Sequence, residues 1–405
     1  MPGALAGFKV VDITQGLCGP YCSMQLGDAG AQIIKIEPPQ GDSSRTMGPP
    51  FIGDESAVYL NLNRNKRSLV LDLGKNEGKE ILIRLAKDAD VFLEDLGPGE
   101  AEKLGFGYEQ LKKLNPKIIY CNISAFGEKG PMAQLPGSEL VVQAMADYTN
   151  SLGAIGEPPV RLGTDVANTN TAVFSFQAIT AALIHRERTG QGQRVSTSML
   201  GSLMHMRGMI WVAQSEPVDS WWGFHQDTYI KPPDHGYKTK DGYVFLSFGL
   251  RDVTDPNAYD KLLEALGLSE MKTKDPRFQA PNNVIGGGSR YGWEVKHIFE
   301  EVFQEMTSKE VIGLFNKFGG TAMPVSNYEM VAADPQVKIL GMIREMDHPK
   351  LGKIKQTGIP WLLYDSPADF QSPPPALGEH TDEILKGLGL SAAEIQHLRD
   401  KKVTR

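Results

Sequence analysis

Over its first 124 residues the chain alternates short apolar runs with helix-like stretches, and that rhythm leaves few folds open. FKVVDI (8–13) has the length of a buried strand. It is followed by the loop TQGLCGP, the helical stretch PYCSMQLGDAG and a second strand, AQIIKIE, ending in Glu37. A Pro- and Gly-rich loop then leads past Asn61 into a basic cluster, Arg64, Lys66 and Arg67, and a strand from Ser68 to Leu73. KNEGKEILIRLAKDA reads as a helix with Ile81, Leu82, Leu85 and Ala86 inward. DVFLEDL, the Gly97-Pro98-Gly99 turn, a helix around Tyr108 to Leu114 and the strand KIIYCNIS complete the series. Strands alternating with helices predict an α/β fold with a mostly parallel, Rossmann-like doubly wound sheet. The acidic end of the second strand invites a dinucleotide site, but Gly16-x-x-Gly19 is not G-x-G-x-x-G. The shape is kept and a nicotinamide cofactor is not expected. The basic cluster could hold phosphate, although such clusters are more often solvated turns.

A second stretch, Gly156 to Met199, places one carboxylate, Asp165, ahead of an apolar helix. Val173, Phe176, Ile179 and Leu183 recur at steps of three and four residues. His185-Arg186-Glu187-Arg188 forms a basic last turn suited to the helix dipole, and Gly190 is a natural stop. Val195, Thr197 and Met199 then alternate as in a strand. By spacing alone Asp165 reads first as a helix N-cap or the brace of an Asx turn. A loop carboxylate above a rigid helix is also a place for chemistry.

A chain of 405 residues exceeds the usual reach of one hydrophobic core, so two domains are expected. A net charge of -7 argues against nucleic acid as a partner. The N-terminus has no signal-peptide pattern, no apolar run reaches the length of a membrane span, and three cysteines make no disulfide framework. These features point to a cytoplasmic protein. The eight histidines are scattered, with neither an H-E-x-x-H pair nor a Cys/His cluster, so no metal is expected.

After Ser124, AFGEKGPMAQLPGSE turns into an apolar helix, Leu140 to Met145, with Glu139 at its start. An acid there ordinarily complements the dipole of its own helix. From Gly201 to Trp222 a Met- and Trp-rich segment reads as a long buried helix. Trp221, Trp222, Phe224 and Tyr229 crowd an irregular connection and could line a pocket. Composition changes near 225–235. The resulting division is a first domain over 1–225, a smaller α+β domain over 226–325 and a return to the first over 326–405. The small domain opens on HGYKTKDGYVFLSF, whose Asp241-Gly242 marks a hairpin turn. GGTAMPVSN, DPQVKILGM and KIKQTGIPW resemble a return to sheet, and the tail from LGEHTDEIL is helical.

Taken together, LAGFKVVDIT, GAQIIKIE, NRNKRSLVLDL, EDLGPG, LGFGYEQLKKLNPKIIYCNISAFG, DVANTNTA, AALIHRERTGQGQRV and LGEHTDEILKGLGL resemble the class III (family III) CoA-transferases in order and spacing. The resemblance runs from near residue 5 to about 395 and implies no permanently bound cofactor, with coenzyme A thioesters as substrates. It makes Asp165 the nucleophile, passing through an acyl-aspartyl anhydride and an aspartyl-CoA thioester. It places Glu139 near the thioester, and Leu71, Asp95, Leu96, Gly97 and Lys103 along the CoA cleft, with Lys103 as a phosphate contact. Positions where some relatives hold CoA phosphates carry Pro38 and Pro136 here, so part of that grip must come from elsewhere, with Arg45 the candidate. Leu17 replaces a glutamine found in formate-handling relatives, which disfavours a tiny polar acid. Gly286-Gly287-Gly288 falls in the small domain and reads as a surface loop. The implied assembly is an interlocked dimer, two chains threaded like links. Homodimer and hetero-oligomer with a related subunit both remain open.

The activity expected is CoA transfer from an acyl-CoA donor, succinyl-CoA foremost, to a bulky apolar or aromatic acid of benzylsuccinate type. Leu17, Trp221 and Trp222 would line its pocket. An α-methylacyl-CoA racemase would want a base pair, typically His with Asp, and Glu139 stands where its histidine would fall. A structural subunit whose partner does the chemistry is the non-enzymatic alternative.

Overall fold

The computed structural model describes residues 1–149, 158–213, 215, 236–248, 255–286, 289 and 291–405. The chain divides into two compact units, one of residues 1–146, 162–206 and 335–405, the other of residues 147–161 and 207–334.

The first unit is built on a six-stranded sheet: β1 (Lys9–Asp12), β2 (Gln32–Glu37), β3 (Lys66–Val70), β4 (Val91–Glu94), β5 (Ile119–Ser124) and β6 (Gln193–Ser198). Its order is β3-β2-β1-β4-β5-β6, and every pairing is parallel. That is the 3-2-1-4-5-6 order of a doubly wound sheet, whose direction of winding reverses between β1 and β4. A parallel sheet needs cover on both faces, so neighbouring strand residues are buried on opposite sides. Val11, Ile36, Leu69, Phe92 and Tyr120 face one core, shared with Leu82 of α2 (Asn76–Lys87) and with Leu385 and Leu398 of the C-terminal helices. Val10, Ile33, Val91 and Ile119 face another, shared with Cys22 and Leu26 of α1 (Cys18–Asp28) and with Ile179 and Leu183 of α4 (Val166–Thr189). Between them in sequence, α3 (Glu139–Met145) starts one residue earlier than the apolar pattern suggested.

Helix α4 ends as its sequence predicts, with Gly190 at a φ of 74°. Arg186 does not stay on the surface to meet the dipole. It is 7% exposed and pairs with Asp90 at 2.8 Å. The basic cluster departs further from expectation. Arg64 and Lys66 are each 1% exposed and satisfied inside the fold, so this is neither a solvated turn nor a phosphate site. Arg64 forks onto Asp28, and Lys66 bonds the Pro20 carbonyl and Asn63. Burial is the main force pushing the Lys66 ammonium down to about 7, against the opposing pull of Asp12. Only Arg67 reaches an outer partner, Glu383.

The second unit holds a three-stranded antiparallel sheet of β7 (Tyr237–Lys238), β8 (Tyr243–Ser247) and β9 (Thr321–Pro324), with β8 central. The Asp241-Gly242 turn joins β7 to β8, and Asp241 also accepts hydrogen bonds from the Ser308 N–H and hydroxyl. Phe278, Phe299, Phe303 and Phe315 fill the core of this unit. GGTAMPVSN therefore pairs within the second unit's sheet, and DPQVKILGM carries a helix, Pro335–Ile339. KIKQTGIPW does supply a strand, β11 (Gly352–Thr357), paired with β10 (Ile343–His348) in the first unit. The Met- and Trp-rich segment is not one long buried helix. It forms Met199–Met206 and Gly208–Ala213, and Met206, Trp211 and Val212 are exposed.

Candidate active site

In a doubly wound sheet the crevice for ligands opens beyond the strand C-termini, where the winding reverses. Here that crevice lies between the loop after β1, which carries Gln15, Gly16 and Leu17, and the turn after β4, which carries Asp95, Leu96 and Gly97. The two are tied directly, the Gln15 N–H donating to Asp95 at 3.1 Å. Burial pushes the Asp95 carboxyl up to about 8, and Asp12 and Glu94 nearby add to the rise.

The β1 loop rests on buried charge. Asp12 accepts from the Thr14 N–H at 2.9 Å and from the Ser23 hydroxyl at 2.5 Å. Burial pushes its carboxyl up, but Lys35, Lys66 and the Ser23 and Thr14 hydroxyls outweigh it and leave Asp12 below the usual range. Lys35 donates to the Thr14 carbonyl at 2.8 Å and pairs with Asp42 at 2.6 Å. Asp42 in turn accepts from the Gly16 N–H at 3.0 Å. Gly16 holds a φ of 77°, which favours glycine. At Gly19 a Cβ would lie 2.2 Å from the Thr14 side chain. Gly16 and Gly19, whose spacing is not that of a nucleotide fingerprint, thus serve a turn and a close helix–loop contact.

Leu17, the residue before α1, borders a cavity of about 340 Å³ with Tyr21, Ala57, Val58, Asn61 and Leu62, which Thr164, Asp165, Asn168 and Thr169 also line. Asp165 precedes α4 with φ -79° and ψ 64°, and the Val166 N–H bonds the Thr164 carbonyl at 2.9 Å. That is an inverse γ-turn with Asp165 at its apex. Its backbone carbonyl receives the Thr169 N–H at 2.9 Å and the Thr169 hydroxyl at 2.8 Å.

The capping role that spacing suggested for Asp165 is filled by Glu139. Its carboxylate accepts from the Ala167 N–H at 2.7 Å, the Asn168 N–H at 2.8 Å, the Asn168 side chain at 2.8 Å and Gln143 at 2.8 Å. Glu139 thus satisfies the orphan amides of α4 from outside that helix, besides starting α3. The Asp165 side chain makes no cap hydrogen bond and is exposed.

The structure brings Leu17 and Asp165 to one cavity, Glu139 to the base of α4, and Asp95, Leu96 and Gly97 to the β1–β4 crevice. It separates the others from that cavity. Leu71 is wholly buried in the core, so its side chain cannot line an open cleft. Lys103 is exposed, with its ammonium 2.6 Å from Glu100. Arg45, the candidate phosphate contact, is held largely by the fold itself. Its guanidinium meets Glu37 at 2.7 and 2.8 Å, the Tyr59 hydroxyl at 2.6 Å and the Pro375 carbonyl at 3.1 Å, and lies 3.7 Å above the Tyr59 ring. Those contacts commit Nε and Nη2 inside the fold, while Nη1 lies 4.0 Å from Glu55. Trp221, Trp222, Phe224, Tyr229, Gly287 and Gly288 lie outside the described residues. Tyr21, Asn61 and Gln143 were missed. Asn168 and Thr169 stood in the recognised DVANTNTA string, but nothing in the sequence marked Gln143 or Asn61.

Among the described residues no helix is long and apolar enough to cross a membrane, and no group of three or more His, Cys, Asp or Glu is placed to hold a metal ion. Fold and crevice define a doubly wound α/β protein with a crevice at the switch point. The chain belongs to CoA-transferase family III, which it matches over residues 5–381, and is a CoA-transferase acting on CoA thioesters. It is 35% identical to a human succinyl-CoA:glutarate CoA-transferase, over 94% of this chain and 85% of the relative. It is 31% identical to a formyl-CoA:oxalate CoA-transferase of Afipia carboxidovorans, over 98% and 97% of the two chains. The crystal structure of a CAIB/BAIF family protein from Brucella suis superposes with a TM-score of 0.81 at 30% identity, covering 96% of this chain and all of that one.

Proposed function

We propose that the chain moves CoA from succinyl-CoA to a dicarboxylic acid through covalent intermediates on Asp165. An Asp165 oxygen attacks the thioester carbonyl, the C–S bond breaks, and an acyl-aspartyl anhydride and CoA thiolate result. The thiolate then attacks the aspartyl carbonyl, and the donor acid leaves as its carboxylate. The acceptor carboxylate attacks the aspartyl-CoA thioester, and the returning thiolate takes the acceptor's acyl group, regenerating Asp165. Each step exchanges one activated acyl group for another, so covalent catalysis suits it. The observation that carries the reading is the division of labour between two acids. Glu139 caps α4, while Asp165 stands at a turn apex on the cavity wall.

Relatives named for glutarate and oxalate favour a dicarboxylate acceptor. The cavity fits such an acid with apolar walls, Leu17, Ala57, Val58 and Leu62, and neutral polar groups, Tyr21 and Asn61. The Thr357 hydroxyl donates to Asn61 Oδ1 at 3.2 Å, so the Asn61 NH2 is the end offered to a distal carboxylate. An aromatic acceptor such as benzylsuccinate was expected from Leu17, Trp221 and Trp222, whereas the relatives are named for glutarate and oxalate. Asp95, Leu96, Gly97 and Lys103 are proposed to meet CoA, with Leu71 contributing backbone only. The exposed apolar residues Leu140, Val141 and Met145 suit cover by a second copy in an interlocked homodimer.

The test is intact-protein mass spectrometry after succinyl-CoA and then hydroxylamine, comparing wild type with Asp165→Ala. A hydroxamate at Asp165, absent from the variant, supports the mechanism. No adduct, with α-proton exchange into deuterated water, would replace the transferase mechanism by racemisation.

A further inference from the structure

Gln143 is 1% exposed and sits one turn beyond Glu139 on α3. Its Nε2 donates to Glu139 Oε1 at 2.8 Å and to the Thr164 carbonyl at 3.3 Å. Its Oε1 accepts from the Leu162 N–H at 3.1 Å. One buried amide therefore grips the segment entering Asp165 at two backbone points and braces the carboxylate that caps the helix leaving it. The three contacts need donors and an acceptor on one side chain. Glutamine supplies both, whereas ionised glutamate only accepts and an apolar residue does neither.

We propose that Gln143 is the positioning residue for Asp165, acting through Glu139 and the Leu162–Thr164 backbone to hold the nucleophile at its turn apex. This rests on the reading of Asp165 as nucleophile. Gln143 touches neither substrate nor reacting atoms. Its effect is to fix where the Asp165 carboxylate stands when the thioester arrives, and displacements on the order of 1 Å at a reacting group cost about 100-fold in rate. A loss of register would thus appear in kcat, with acyl-CoA binding elsewhere in the crevice left intact.

The test uses full-length wild type, Gln143→Glu, Gln143→Ala and Asp165→Ala, with kcat and KM for succinyl-CoA measured from pH 6 to 8 beside thermal melts. The isosteric Gln143→Glu sets two carboxylates against each other. At pH 8 repulsion should lower kcat by about 10- to 100-fold with KM within about twofold of wild type. As pH falls, a proton shared between the acids restores a donor to Glu139, and kcat should climb back toward wild type. Gln143→Ala should show the loss without that recovery. Wild-type kcat in both Gln143 variants at pH 8 would overturn the proposal, as would losses that merely follow the unfolded fraction. If Asp165→Ala retains activity, the nucleophile reading fails and takes this one with it. An inactive Asp165→Ala beside normal Gln143 variants rejects positioning alone.

Discussion

Arg64→Met tests whether the charge buried beneath the site supports the fold. Arg64 Nε and Nη2 donate to Asp28 at 2.9 and 2.7 Å, and Nη1 donates to Gln356 at 3.3 Å and the Thr357 carbonyl at 3.1 Å. Its guanidinium also lies 4.3 Å from the Phe370 ring centroid. One side chain thus ties the end of α1 to β11 and to the segment at Phe370. Methionine fills much of the volume but leaves Asp28 with Asn65 at 2.8 Å as its remaining side-chain donor. Breaking a buried pair from one side costs about 3–5 kcal/mol, because the survivor is an uncompensated charge. At ~2–4 °C per kcal/mol, the melting midpoint should drop by roughly 6–20 °C. Burial already pushes the Asp28 carboxyl above its ordinary range, against Arg64 and Asn65, and removing Arg64 raises it further. An acid whose folded pKa is raised loses stability as pH climbs from its unfolded value to its folded one, and the cost fades as pH falls back toward the unfolded value. The penalty should therefore be larger at pH 8 than at pH 5, read by calorimetry or urea midpoints at both. Arg64→Met with Asp28→Leu should recover much of it. A penalty below about 1 kcal/mol at pH 8, or one that ignores pH, would refute the reasoning.

Arg45→Gln should destabilise by on the order of 3 kcal/mol yet leave KM for acyl-CoA unchanged, since its fork binds buried Glu37. A raised KM at full stability would return Arg45 to the phosphate site. Asn61→Leu should raise KM for a dicarboxylate acceptor by about 10- to 100-fold while sparing a monocarboxylate of equal length. Equal effects on both acids would remove Asn61 from recognition. Asp95, held near 8, stays protonated when folded over a range in which the unfolded chain has ionised, so its contribution to stability falls as pH rises from 4 to 8. Asp95→Asn should show a shallower decline than wild type, and parallel stability curves for the two proteins would contradict it.

Much of the architecture was legible because local chemistry determined it. Buried parallel strands need continuous apolar runs, and Val10, Val11, Ile33 and Val91 announce theirs. Gly190 ended α4, and Asp241-Gly242 turned the second unit's hairpin, because turns of this kind depend on a few neighbouring residues. The order and spacing of the recognised strings also brought the family into view, and with it Asp165. Tertiary structure decided which polar residues spend themselves inside the fold. Arg64, Lys66 and Arg45 look like surface cations until Asp28, Asp12 and Glu37 are brought beside them from other strands and helices. Glu139 reads as the first-turn acid of its own helix, but its carboxylate meets amides 28 and 29 positions away. No periodicity carries that information. Hydrogen-bond satisfaction in a folded chain depends on distance in space, and Gln143, Glu139 and the turn at Asp165 become neighbours only when α3 packs against the start of α4.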